Sequence, residues 1–251
     1  MARIIVNGDD LGMNGSCSAA IAGAFELGLI TDSTAMANGE YLDEALELAR
    51  GRGFERSIGI HLNLTEGRPL TEGICSLEAF VTDGCFNKRA VSLSRGLSPE
   101  EGLAVYAELT AQVLRLKEAG IAITHADSHH YIHNLPYLAP VFEQVCREQG
   151  IAKLRLRRDL NRADKTPAAE IKAYNDGLRS SGFITTAHFG KLTDIAGAEL
   201  PDRTEILVHP DLDRDGRLID RTGVSGGFPT GEPIPDLRAE RGAELISYSL
   251  L

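Results

Sequence analysis

Apolar and polar positions along the chain follow two periods in turn, that of a strand and that of a helix. Residues 3–7 form a β-branched run, a Gly/Asp turn follows, and residues 15–27 carry Ala, Ile, Phe and Leu before Gly28. This reads as strand, loop, helix and stop. Residues 33–38 and 57–64 read as further strands, and between them Leu42, Ala45, Leu46 and Ala49 recur at helical spacing, predicting a helix over 42–50. Residues 65–97 are rich in Gly, Ser, Thr and Pro with little periodicity, and are expected to form a long functional loop covering a cleft. Ser98, Pro99 and Glu101 supply an N-cap, a first-turn proline and a capping-box acid for a helix that Gly120 stops. A strand over 121–128, a helix over 137–149, a strand over 153–157, a helix over 167–180 and a buried strand over 204–209 complete the expected elements.

Strand and helix units repeated in this way favour a parallel sheet or a barrel, with reactive groups at the carboxyl ends of the strands. No internal repeat or low-complexity tract interrupts them, so one α/β domain spanning 1–251 is the simplest organisation.

Composition narrows the partners. With 43% hydrophobic and 25% charged residues the chain can bury a full core, and a formal net charge of −10 disfavours a nucleic-acid surface. The opening MARIIVNGDDLG has too few apolar residues for a secretory signal, and no apolar run approaches the roughly 20 residues that span a bilayer. A cytoplasmic protein without a membrane partner is the expectation. Cys17, Cys75, Cys85 and Cys146 show no CxxC spacing and read as reduced thiols.

Chemistry-bearing residues cluster where strands end. Asp9 and Asp10, in NGDDLG, follow the first strand, where flanking glycines allow a sharp turn that points both carboxylates into one mouth. A solvated Asx turn is the plain alternative. His61 interrupts the apolar strand SIGIHLNL on the face it shares with Asn63, either as a ligand or as a hydrogen-bonded core histidine. The tract THADSHHYIHNLP puts His125, Asp127 and His129 at alternating positions at a strand end, with His130 and His133 beyond. Imidazoles and a carboxylate suit a divalent metal, with His125 the favoured ligand and Asp127 either a ligand or an acceptor that orients an imidazole. His209 closes the strand in EILVHPDLD, as a catalytic acid or as a structural cap, and His188 has less to recommend it. Arg155, Arg157 and Arg158 read first as partners of the acidic excess, and otherwise as contacts for substrate hydroxyls.

NGDDLGMN, GLITDSTAMAN, GIHLNLTEGRPL, HADSHHYIH and ILVHP, in this order, resemble the YdjC-like family, which includes chitooligosaccharide deacetylases. The matching stretches cover most of the chain. Tyr131 stands where the family's histidine tract often continues, and Asp211 where a glycine is more usual. The resemblance implies a distorted TIM-like (β/α) barrel and removal of acetyl groups from N-acetylated amino sugars. It also implies one divalent metal, magnesium being usual in the family, held by Asp10, His61 and His125. Asp9 would be the general base and His209 would assist. Two imidazoles and a carboxylate suit zinc better than magnesium, so Mg2+ and Zn2+ both stand. Asn63, Asp127, His129 and Arg155 are expected behind these ligands or at the substrate. The expected partner is a small carbohydrate, and the resemblance makes a dimer or trimer plausible. Two other functions fit the same residues: a metal-dependent phosphoesterase or related metallohydrolase, and a sugar-binding protein without turnover. Asp9 speaks against the second, because a pure binder needs no base beside a metal.

Overall fold

Ile4, Ile5 and Val6 are all buried, because β1 (Arg3–Leu11) runs through the middle of a parallel sheet whose two faces are both covered. The computed structural model describes residues 1–93, 95–160, 166–197 and 199–251. After β1 come α1 (Gly15–Glu26), β2 (Asp32–Ala35), α2 (Leu42–Arg52), β3 (Ile58–Leu62), α3 (Glu72–Cys75), β4 (Val81–Thr82), β5 (Cys85–Phe86), α4 (Pro99–Glu118) and β6 (Ala126–Ser128). The second half adds α5 (Ala139–Glu148), α6 (Ala168–Ser180), β7 (His188–Lys191), β8 (Thr204–Val208), β9 (Pro210–Leu212), β10 (Leu218–Ser225), β11 (Phe228–Pro233), α7 (Leu237–Arg241) and β12 (Glu244–Leu245).

The main sheet has the order β6-β3-β2-β1-β8-β7, with β12 also paired to β1, and its pairings are parallel. Beyond β6, isolated parallel bridges join Ala126 to Leu154 and Lys153 to Ile184, and the Asp159 N–H donates to the Phe189 carbonyl at 3.2 Å. The result is a single α/β domain with a curled parallel sheet, flanked by helices and filled by one apolar core. None of its helices is long and apolar enough to cross a membrane, among the described residues.

The best-marked helix forms as its sequence predicts. Ser98 accepts from the Glu101 N–H at 3.2 Å while the Glu101 carboxylate accepts from the Ser98 N–H at 2.8 Å, which closes the capping box of α4. Four expectations need correction. Residues 65–97 are not a featureless loop but carry α3 and the β4–β5 pair. Glu108 of α4 docks this segment by accepting from the N–H groups of Leu70 and Thr71. Ser94, within that segment, lies outside the described residues. The strand predicted over 121–128 is confined to Ala126–Ser128, and the one over 153–157 exists as bridges. The antiparallel sheet β11-β10-β9 was not expected at all. Its signal is Gly226-Gly227, two successive residues at positive φ (+60° and +82°) that turn β10 into β11.

Glycine matters most at Gly59 in β3. A Cβ there would stand 2.6 Å from the His125 ring and 2.7 Å from the His125 carbonyl oxygen, so the two backbones and the imidazole pack without space to spare. Gly59→Ala is expected to lower stability by about 1–3 kcal/mol or more through overpacking. Urea unfolding monitored by circular dichroism checks it, and an unchanged midpoint would refute this packing.

Candidate metal and catalytic site

The carboxyl ends of β1, β3, β6 and β8 carry Asp9 and Asp10, His61, Asp127, and the approach to His209. In a regular strand Asp9 and Asp10 would face opposite sides. Here the pairing of β1 with β2 shifts register between Gly8 and Leu11, and Asp10 itself adopts φ +73°, so the bulge re-aims its carboxylate. Of the flanking glycines expected to make this turn, only Gly12 sits at positive φ (+85°).

Asp10, His61 and His129 converge. His129 Nδ1 lies 2.9 Å from Asp10 Oδ1 and 3.3 Å from His61 Nε2, and His61 Nε2 is 3.2 Å from the same Asp10 oxygen. Ligand atoms about 2.1 Å from one divalent ion stand about 3.0–3.4 Å apart, so this triangle has the size a cation requires. All three residues are buried. Each imidazole is backed by a carboxylate on its other nitrogen: Asp127 Oδ1 is 2.6 Å from His61 Nδ1, and Glu66 Oε2 is 3.0 Å from His129 Nε2. With a cation bound, this second hydrogen bond would keep the ring N–H on the carboxylate side and leave His61 Nε2 and His129 Nδ1 as electron-pair donors to the ion; without one, the same two nitrogens meet Asp10 as N–H donors. The register of β3 against β6 sets His61 directly beside Asp127.

The electrostatics favour a positive charge at this point. Burial works against ionising His61, but Asp127 and Asp10 outweigh it and push the imidazole up to about 10. For His129 burial is likewise overcome by the bonds to Asp10 and Glu66. Asp10, although buried, is held well below the usual carboxylate range by those same imidazoles. The set of residues present therefore fits a divalent cation on donor type, spacing and charge.

His125 does not belong to it. Its ring stacks on Tyr248 with centroids 3.7 Å apart, its Nε2 lies 3.1 Å from Asn7 Oδ1, and its Nδ1 is 2.8 Å from Thr124 Oγ1. Burial and the Arg155 charge hold it neutral. His125, expected among the metal-ligating residues, is therefore not brought to Asp10 and His61 by the packing, which brings His129 there instead.

Asp9 sits beside the donor group with a different partner. Arg155 grips it through Nη2 to Oδ1 at 2.7 Å and Nη1 to Oδ2 at 2.8 Å, and Asn7 Nδ2 donates to Oδ1 at 2.8 Å. Burial would raise Asp9, but the guanidinium wins and holds it below its ordinary value. Arg155 also meets Asp127 Oδ2 at 2.6 Å and Glu205 Oε1 at 2.7 Å. It is fully enclosed and does not line the cavity, so it orders the acids and makes no contact open to substrate. Asn63 is also enclosed, where it pins the 63–66 turn by donating to the Glu66 carbonyl at 2.6 Å and accepting from the Thr65 N–H at 2.9 Å. Arg157 and Arg158 pair with Glu170 and Asp194, and His188 with Asp159, away from the site.

Asp9, Asp10, His61 and His129 open onto a cavity of about 370 Å³ that His209, Tyr131, Lys191 and Arg221 also line. His209 is partly exposed there, with Nδ1 3.9 Å from Asp220 Oδ1. Sequence reasoning missed Glu66 and Arg221, whose Nη2 donates to Asp10 Oδ2 at 2.8 Å from the unexpected β10. Within the histidine tract, His130 and Tyr131 both take positive φ (+53° and +55°), ending the strand alternation that the pattern assumed.

The profile of the family described as YdjC-like protein matches residues 3–245. The chain is 32% identical to a chitooligosaccharide deacetylase of Escherichia fergusonii, over 98% of this chain and 97% of that one. It is also 32% identical to a carbohydrate deacetylase of Listeria welshimeri, over 83% and 81%. A crystal structure from Enterococcus faecalis V583, of a protein named for a proposed role in cellobiose-phosphate cleavage, superposes with a TM-score of 0.73. It does so at 23% identity, covering 99% of this chain and 98% of that one, and it supports the fold alone. The chain belongs to the YdjC-like family.

Arg155→Met would leave Asp9, Asp127 and Glu205 without their shared cation. Stability is expected to fall by about 3–5 kcal/mol, the cost of stranding a buried ion partner. Chemical denaturation near neutral pH measures it, and a loss below about 1 kcal/mol would show that these acids are not held by Arg155.

Proposed function

We propose that this YdjC-like chain is a metal-dependent hydrolase that removes acetyl groups from N-acetylated amino sugars or chitooligosaccharides and releases acetate. The observation that carries the reading is the meeting, at one cavity, of a three-donor group with a separate buried carboxylate beside it. The names of the two relatives, both deacetylases of carbohydrates, support the substrate class.

Asp10 Oδ1, His61 Nε2 and His129 Nδ1 would hold one divalent ion. The family resemblance favours Mg2+, and two imidazoles with one carboxylate favour Zn2+ or a similar transition ion. Such an ion supplies, when bound, positive charge that polarises the acetyl carbonyl. Asp9 takes a proton from the attacking water as the water oxygen bonds to the carbonyl carbon. Arg155 keeps Asp9 ionised, and Oδ2, which accepts one bond from that guanidinium, retains a lone pair for the proton. His209, whose Nδ1 lies 3.9 Å from Asp220 Oδ1, delivers a proton to the leaving nitrogen as the C–N bond breaks. The products are acetate and a free amino sugar.

The reading takes residues 1–251 as one deacetylase domain and the curled sheet as a distorted TIM-like barrel, supported by the bridges through Lys153, Leu154 and Ile184. The unpaired state of the four cysteines fits a cytoplasmic enzyme. A dimer or trimer is the assembly the family resemblance favours.

Metal analysis of the purified protein separates the ligand sets. His61→Ala and His129→Ala are expected to lose the ion, whereas folded His125→Gln keeps it; the reverse pattern would overturn the assignment. Because His61 without metal holds its proton up to about 10, ligation near neutral pH displaces that proton. Apparent metal affinity should therefore rise with pH by about tenfold per unit for each proton displaced, as calorimetry in buffers of differing pH would show.

Acetate release from diacetylchitobiose tests the reaction itself. Asp9→Asn and His209→Ala should each lower kcat by about 10²–10⁴ with metal content intact. Unchanged acetate release in Asp9→Asn would remove its role as base.

A further inference from the structure

Tyr248 does not line the cavity, yet it is wholly buried and bonded on every side. Its N–H donates to both oxygens of Asp32, at 3.2 and 3.1 Å, Ser247 Oγ donates to Asp32 at 2.9 Å, and Lys153 Nζ donates to the Tyr248 carbonyl at 2.5 Å. These bonds fix the segment that carries the phenol beneath the sheet ends.

From that position Tyr248 reaches Asp9 by two paths. Its hydroxyl donates to Glu205 Oε2 at 2.5 Å, Glu205 Oε1 accepts from Arg155 Nε at 2.7 Å, and Arg155 clamps both oxygens of Asp9. Its ring stacks on His125, 10° from parallel, while the His125 Nε2–H donates to Asn7 Oδ1 and Asn7 Nδ2 donates to Asp9 Oδ1. Tyr248, Glu205, Arg155, His125 and Asn7 are all enclosed, so water cannot substitute for a missing link. Glu205 is the least secure link, because burial pushes it up to about 7 against the pull of Arg155 and the Tyr248 hydrogen bond.

We infer that Tyr248 is a positioning residue for Asp9: through Glu205 and Arg155 on one side, and His125 and Asn7 on the other, it fixes the orientation of the carboxylate that accepts the proton of water. This rests on the deacetylase reading and deepens it. Asp9 touches the reacting water, and Tyr248 acts only through its neighbours. A base held in place by one bond could rotate about its side-chain torsions, whereas one gripped from two directions keeps its lone pair on the cavity. The path also gives His125 a role that needs no contact with metal.

Tyr248→Phe keeps the ring on His125 and deletes the hydroxyl. On diacetylchitobiose, kcat is expected to fall about tenfold with KM and metal content unchanged, since a small misplacement of a reacting group acts on the chemical step. Combining it with Asp9→Asn should lower kcat no further than Asp9→Asn alone. Glu205→Gln, which keeps the shape of the link, should reproduce the same split between kcat and KM. A kcat within twofold of wild type in Tyr248→Phe, or full additivity with Asp9→Asn, would overturn the inference while leaving the deacetylase reading intact. If the wild-type protein releases no acetate, the functional reading fails, and unfolding equilibria decide the link. Tyr248→Phe and Asp9→Asn should then be non-additive by about tenfold in the folding constant, and additivity would end it.

Discussion

The structure depends on one buried cation. Arg155 lies out of water against Asp9, Asp127 and Glu205, and its guanidinium packs over the Phe189 ring at 4.9 Å. Carboxylates this enclosed cannot stay ionised without a partner, and a planar fork of donors can serve several at once. A lysine, with a single compact charge, could not reach Asp9 with two bonds and Glu205 with a third. Because the guanidinium is rigid, the acids it holds have fixed directions: Asp9 toward the cavity and Asp127 toward His61. Burial, charge pairing and site geometry are thus consequences of one residue.

Around that centre the cavity is assembled from parts that break local rules. Asp10, His130 and Tyr131 all hold positive φ, which L-residues adopt at some cost. Each departure moves a polar side chain that a regular strand would have aimed elsewhere. At Asp10 the deviation brings one oxygen to two imidazoles and leaves the other for Arg221. At His130 and Tyr131 it ends β6, so His129 folds back over His61 instead of continuing the sheet.

This explains what could be read in the sequence and what could not. Helix boundaries were legible where caps state them locally, as at Ser98 and Gly120. Asp9, Asp10, His61 and the histidine tract were legible as a site because strand ends concentrate polar side chains in a parallel sheet. The choice between His125 and His129 was not, because strand alternation puts both on one face, and only the turn after Ser128 separates them. Arg155 was read as a charge partner, which it is; that its partners are the acids of the site follows from contacts 146 residues apart for Asp9 and 50 for Glu205. The β10 arm, built on a Gly-Gly turn and half-exposed residues, carried too little apolar pattern to announce itself.

The arm nevertheless bears on the chemistry through Asp10. Arg221 holds Asp10 Oδ2, while Asp10 Oδ1 is the oxygen that meets both imidazoles. A bidentate carboxylate would occupy a position that substrate or water needs, whereas three donors leave coordination open. Arg221 also approaches Asp211, which accepts from Ser16 on α1 and from its own neighbour, the Leu212 N–H. The arm is therefore anchored to α1 at Asp211. Asp211 supplies a counter-charge for the guanidinium that holds Asp10 Oδ2, and so ties the geometry of the donor group to the position of the arm.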